Sequence, residues 1–191
     1  MKDKFLRDLT RSLKGVAVHT GGIDRAQTHL DDAHRAEVAG DLVGAANALR
    51  LAIAVAAERM DIQEAYDRVA SALAVTMADG HEKRAKEEEA QDSWQEAALS
   101  WVKVCDGRPD DAPPHIRAAE AMLKADLPLS DAKRFAQRAA EIEPENPAVH
   151  RLLAQIFIEA GMKVNARKAL EKAAKLDPKD ELVKNLLKEL K

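Results

Sequence analysis

The side chains of this chain that could do chemistry are few: six histidines, one cysteine, a run of three glutamates and two tryptophans. The histidines are His19, His29, His34, His81, His115 and His150, and no two stand as His-x-x-x-His on a helical face. His29 and Asp32 have the spacing of a helical metal pair, but surface side chains account for it, and no metal is expected. Cys105 lies beside Val102 and Val104, so it reads as a buried structural thiol rather than a nucleophile. A single cysteine excludes an intramolecular disulfide and fits a reducing, cytoplasmic compartment. Glu87-Glu88-Glu89 reads as a solvated helix face. Trp94 and Trp101 stand seven apart on one face and could stack on a ligand; core packing is the plainer reading. Gly21-Gly22 and Gly40-x-x-x-Gly44 lack the Lys-Ser/Thr of a phosphate loop. No catalytic constellation emerges, so the chain is expected not to be an enzyme and to need no cofactor.

The elements that carry these residues read as helices. In 146–180, Val149, Leu153, Ile156 and Phe157 share one face, and Ala166, Leu170 and Ala173 share another, both at the 3.6-residue period. Asn146 can cap the first of these helices with Pro147 at its first position. Gly161 breaks the pattern and Pro178 follows it, so the two close into an antiparallel hairpin. Upstream, helices are expected over 24–38 and 41–56, turning at Ala39-Gly40-Asp41. Gly44 inside the second is explained by a neighbouring helix packing close. Asp61 and Glu64 read as a capping box that opens one long helix, about 61–92, in which Ile62, Tyr66, Val69, Leu73 and Met77 keep helical spacing. Glu82 and Lys86 form a favourable i,i+4 pair there. Gly80 is the one place where this helix could break in two. Ser93 with Glu96 is a second capping box. All seven prolines lie from Pro109 onward at turns or first turns, which sets short helices at about 114–125, 130–142, 147–160, 163–176 and 180–190. In the last of these, Leu182, Val183, Leu186, Leu187 and Leu190 share one face.

A helical hairpin of about 34 residues with small residues at fixed offsets resembles the tetratricopeptide repeat family. That family asks for a large residue, Leu-Gly, an aromatic, then Ala, an aromatic, Ala and Pro. Here those places hold His150, Leu153-Ala154, Phe157, Ala166, Leu170, Ala173 and Pro178. One repeat back, at a step of 34, stand Ile116, Ala119-Glu120, Leu123, Ala132, Ala136, Ala139 and Pro144, with Glu120 where a small residue belongs. Ala97, Trp101, Val104 and Pro109, then Gly40, Ala45, Leu49 and Ala52, continue the series. The resemblance implies an all-α solenoid of helical hairpins with one elongated helix and a C-terminal capping helix over 180–190. The chain therefore reads as two parts, an amphipathic segment over 1–22 and a repeat domain over 23–191.

Function follows from what is present and absent. Net charge is −3, too weak a field to argue for nucleic acid. No stretch approaches the length of a membrane span, and the charged N-terminus does not read as a secretory signal. Phe5, Leu6, Leu9, Leu13 and Val16 give 1–19 an apolar face, read as an ordinary helix covering the end of the array. By the resemblance, first helices line a concave face, and the positions that point into it are Arg117, Ala121, Lys124, Arg151, Gln155, Ile158 and Glu159. The family's carboxylate clamp uses a Lys/Asn pattern that this chain does not reproduce. The expectation is a non-catalytic scaffold that binds a protein or peptide segment, acidic or extended, in the groove. Two alternatives stand beside it. One is a self-assembling, homo-oligomeric module. The other is a helical co-chaperone module of a larger bacterial protein, because the central segment is similar to helical tails of J-domain proteins, although the chain holds no His-Pro-Asp.

Overall fold

Nine stretches of helix account for the regular structure of residues 25–190, the part of the chain that the computed structural model describes. The segment expected over 1–22 lies outside these residues. The helices are α1 (25–38), α2 (Leu42–Val55), α3 (Met60–Ala90), α4 (Trp94–Gly107), α5 (Ala112–Lys124), α6 (Leu129–Ile142), α7 (Pro147–Glu159), α8 (Lys163–Leu176) and α9 (Glu181–Glu189). There is no strand among the described residues. The chain gathers into two compact units, one through Leu73 and one from Ala74 onward. In the first, α1, α2 and the start of α3 bury Ala26, Ala33, Ala45, Leu49, Ile62 and Val69 against one another. In the second, α4 to α8 and Ala85 of α3 share a core that includes Trp101, Val104, Phe135, Leu153 and Ile156. The small residues expected at helix crossings are closed off completely: Ala45, Ala52, Ala97, Ala132, Ala136, Ala139 and Ala166 are each 0% exposed. Helices approach that closely only where side chains are this short.

One turn recurs four times. α1, α3, α5 and α7 each end on a residue of positive φ: Gly40 (78°), Asp92 (55°), Asp126 (52°) and Gly161 (70°). In each, the next N–H reaches the carbonyl five residues back: Asp41 to Ala36, Ser93 to Glu88, Leu127 to Met122 and Met162 to Phe157, at 2.8–3.0 Å. These are Schellman caps, which satisfy the last carbonyls of one helix and reverse the chain into the next.

The spacing of the last two first-helices is 35, not 34: Ala112–Lys124 of α5 maps onto Pro147–Glu159 of α7, while Leu129–Ile142 maps onto Lys163–Leu176 at 34. The extra residue lies in the α5–α6 turn, 125–128, against 160–162 after α7. This corrects the alignment of Ile116, Ala119-Glu120 and Leu123. His115, Ala118-Ala119 and Met122 take those places, opposite His150, Leu153-Ala154 and Phe157, and all are buried. Glu120 is then no longer an outlier at a close crossing. The same register places His29, His81, His115 and His150 each nine residues before the end of its helix.

α3 is one helix of 31 residues, and Gly80 does not interrupt it; nothing lies within 4 Å of where its Cβ would be. Its start differs from expectation. Met60 is already helical, so Asp61 sits in the first turn and its carboxylate pairs with Arg59 rather than capping. Its buried stripe also shifts. Ile62 and Val69 are buried, but Met77 is 47% exposed, and Ala78 and Ala85 take over the inward face. The cause is the end of α4: a Cβ on Gly107 would stand 2.4 Å from the Ala74 carbonyl oxygen and 2.9 Å from the Ala78 Cβ. The residues that face this crossing are the small Ala74 and Ala78, and Met77 lies about 100° around the helix from Ala78. At Gly44 the closest group is not a neighbouring helix but Asp41, whose Oδ1 accepts the Gly44 N–H at 2.8 Å and caps α2. Asn146 caps α7 as expected, accepting from the Ala148 N–H at 3.0 Å. α4 starts at Trp94, but the Ser93 side chain makes no cap bond.

Candidate binding groove

α5, α7 and α9 together wall a cavity of about 620 Å³. α5 supplies Arg117, Glu120, Leu123 and Lys124; α7 supplies Ala148, Arg151, Leu152, Gln155, Ile158 and Glu159; α9 supplies Leu182 and Leu186. Six of the seven side chains expected on a concave face stand in this wall. Ala121 does not. It is 1% exposed and part of the core, because four residues turn a helix roughly 40° past Arg117, toward the packed side. The apolar part of the wall is not what the sequence pattern suggests. Helical spacing puts Leu182 and Leu186 on the buried stripe of the capping helix, yet Leu182 is 56% exposed and Val183 takes the buried place.

The cations of the wall are held from behind. Arg117 pairs with Glu89 and, at 3.3 Å, with Glu120; its guanidinium also lies 5.9 Å from the Trp101 ring centroid. Glu89 is nearly enclosed, its side chain 9% exposed, and accepts the Trp101 indole N–H at 2.7 Å. Glu88 accepts from the Ser100 hydroxyl at 2.6 Å and from Arg84 at 2.7 Å. Burial pushes the Glu88 carboxyl up, but the bonds from Ser100 and Arg84 outweigh it and the net shift is downward. The Glu87-Glu88-Glu89 run is therefore not a solvated face. Only Glu87 meets that reading, while the other two turn onto α4 and α5, because a hydroxyl and an indole N–H buried there need acceptors. Arg151 donates to Asp180 at 2.9 Å. Asp180 also caps α9 by accepting the Val183 N–H, and that bond first, then Arg151, keeps its carboxyl below the usual range. The Lys124 ammonium sits 3.7 Å from the Trp94 ring centroid, a cation–π contact. Gln155 donates to Glu159 at 3.2 Å.

Cys105 is 4% exposed, and burial followed by the Asp106 charge pushes its thiol up to about 12, so it is no nucleophile at neutral pH. Among the described residues no group of histidine, cysteine or carboxylate side chains could hold a metal ion. Among them, too, no helix is long and apolar enough to cross a membrane. A cavity of about 220 Å³ in the first unit is lined by His34, Glu37 and Arg68 among others, and Arg68 spans it to reach Glu37 at 3.0 Å.

The same succession of helices occurs in known proteins. The family described as "Tetratricopeptide repeat" matches residues 129–190, the stretch from α6 through α9. This C-terminal third of the chain matches the tetratricopeptide repeat family. Solved structures with the same fold include the first such domain of Spaghetti (RPAP3) bound to an HSP90 peptide, 16% identical, TM-score 0.56, covering 60% of this chain and 90% of that one. The TPR2B domain of yeast Sti1 in an Hsp70 complex is 18% identical, TM-score 0.55, covering 60% and 96%. The TPR2AB domain of yeast Sti1 in an HSP90 complex is 17% identical, TM-score 0.59, covering 98% and 79%. No curated protein matches. In the terms of this family, α5 and α7 are the first helices of successive tetratricopeptide hairpins, and α9 holds the place of a third.

Proposed function

We propose that this protein is a non-catalytic interaction scaffold of the cytoplasm whose groove between α5, α7 and α9 seats a segment of a partner protein. The observation behind the reading is the cavity itself. Its lining combines the apolar Leu123, Leu152, Ile158 and Leu186 with a few charged side chains, the composition of a binding site rather than of a solvated surface. Structural relatives bound to HSP90 and Hsp70 peptides support peptide recognition as a class. The acidic character expected of the ligand loses its support, since both arginines of the wall already hold carboxylates. A photo-crosslinker at Gln155, exposed in the middle of the wall, tests the proposal in lysate. It should yield a discrete protein adduct that the same group at Lys168, outside the cavity wall, does not. Equal yields from the two positions would remove the groove.

Self-association is a second reading, with one observation in its favour. Val43, Leu51 and Val55 of α2 are 55%, 54% and 39% exposed, on a helix whose only charge is Arg50. Sedimentation across a concentration series decides it, a constant monomer mass eliminating assembly.

A further inference from the structure

The wall of the groove discriminates between kinds of segment, a selectivity that rests on the groove being the binding site proposed for it. Its two arginines already hold carboxylates, Arg117 those of Glu89 and Glu120 and Arg151 that of Asp180. A ligand carboxylate arriving at Arg117 has to compete with Glu89, which is nearly enclosed, and at Arg151 with Asp180, whose side chain is 14% exposed. Displacing either leaves an enclosed anion short of a partner, a costly exchange. Lys124 already rests on Trp94. The apolar side chains, in contrast, are uncommitted on their outer side, with Leu182 56% exposed and Leu123, Ile158 and Leu186 half-buried along the wall.

Backbone chemistry narrows the choice again. Every wall residue belongs to a helix, so the groove offers no strand edge to an extended peptide. The one neutral amide in the wall, Gln155, is bonded to Glu159. An extended segment would bring a row of N–H and C=O groups for which the helical wall has no matching backbone edge. A helix pairs its own.

From the two arginines already paired, the apolar side chains of the lining and the all-helical wall, we infer that the groove takes an amphipathic helix of a partner protein, anchored by leucine-sized side chains and carrying neutral or basic flanks. The anchors fall over Leu123, Leu152, Ile158, Leu182 and Leu186, and the basic flanks meet Glu120 and Glu159.

The test uses the full chain, amide-resolved NMR and two probes. The first is a peptide of about 18 residues with leucines at i, i+3, i+4 and i+7 and Gln, Ser and Lys elsewhere. The second is an acidic peptide with a free C-terminal carboxylate. The first should shift the amides of α5, α7 and α9, with affinity falling at least about tenfold in Leu182→Glu, an exposed position where the fold tolerates charge, and little in Arg151→Gln. Replacing two of its central residues by proline should abolish binding. If the acidic peptide fills the groove, weakens with salt and depends on Arg151 while the leucine peptide does not bind, the ligand class is wrong and the groove survives. If the leucine peptide shifts only residues outside the wall, the groove reading itself falls. Silence from both peptides overturns both.

Discussion

Glu89, in a charged run that reads as wholly solvent-facing, accepts the indole N–H of Trp101 at 2.7 Å and so ties α3 to α4. The same carboxylate holds Arg117 of α5, so one side chain links three helices. A buried indole donor left without an acceptor costs about 1–3 kcal/mol. Arg117 is 44% exposed, so its pair with Glu89 is partly screened and carries the smaller share of what this carboxylate contributes. Glu89→Ala should therefore lower stability by about 2 kcal/mol. Glu89→Gln, which keeps an oxygen for the indole, should lose less than half of that. Urea unfolding followed by tryptophan fluorescence measures both. Equal losses in the two variants would mean that the indole bond carries no weight.

The helices and their pairing are legible in the sequence because their signals are local. Asn146-Pro147 starts α7 and Gly161 ends it, and each acts within a few residues. The repeat register is legible only to within one residue. Two of the four positive-φ turns carry Asp92 and Asp126 instead of glycine, and Pro128 adds a residue that no periodicity reveals. That single slip hides the alignment of His115 with His150 and makes Glu120 look misplaced. The groove is half legible. Its charged residues come from helical register, but whether an arginine is available depends on an acid elsewhere in sequence, such as Glu89, 28 residues before Arg117. Leu182 escapes for a similar reason: helical spacing marks α9 as amphipathic, while which leucines its neighbours cover is a matter of tertiary packing.

Two glycines should respond to alanine with opposite signs. Gly80 lies in mid-helix with nothing within 4 Å of a new Cβ, so Gly80→Ala removes unfolded-chain freedom and should stabilise by about 0.5–1 kcal/mol. Gly107 lets α4 meet α3, and a Cβ there would stand 2.4 Å from the Ala74 carbonyl oxygen. The backbones must part, and Gly107→Ala should destabilise by about 1–3 kcal/mol. Thermal unfolding by circular dichroism measures both. A rise in melting temperature for Gly107→Ala would refute the close crossing.

The four Schellman turns make a matched pair of predictions. Gly161 has φ of 70° with open space around it, so Gly161→Ala meets no neighbour and suffers only the left-handed backbone, a cost of about 1–2 kcal/mol. Asp126 already bears that strain at φ 52°. Asp126→Gly relieves it and should cause no net loss, the gain offsetting the greater freedom of glycine in the unfolded chain. Chemical denaturation of both variants is sufficient. An Asp126→Gly protein as damaged as Gly161→Ala would show that the Asp126 side chain, not its backbone, matters.

Acid should weaken the second unit before it reaches the range of carboxylates. His115 donates its Nε2–H to the Pro109 carbonyl at 3.1 Å, its ring lies 5.9 Å from that of Phe135, and its Nδ1 is buried with no partner. A proton added at Nδ1 would find no acceptor. Burial first, and then the charge of Arg138, pull His115 below its ordinary value of 6.5, against the opposing pull of the Pro109 carbonyl, Asp106 and Asp110. His81 is lowered too, by burial and then by Lys103 and Arg84. A depressed histidine binds fewer protons folded than unfolded, so stability rises with pH. The contribution is complete above about pH 6.5 and is lost as pH falls through that value toward the lower folded one. Glu82 and Glu88, both lowered, lose theirs only on further acidification, below their ordinary 4.5. Urea midpoints should therefore drop between about pH 7 and 5, and the drop should flatten in His115→Leu even though that variant, lacking the Pro109 bond, starts less stable. A wild-type midpoint that is constant across that window, or a slope unchanged by His115→Leu, would mean that the buried ring accepts its second proton without penalty.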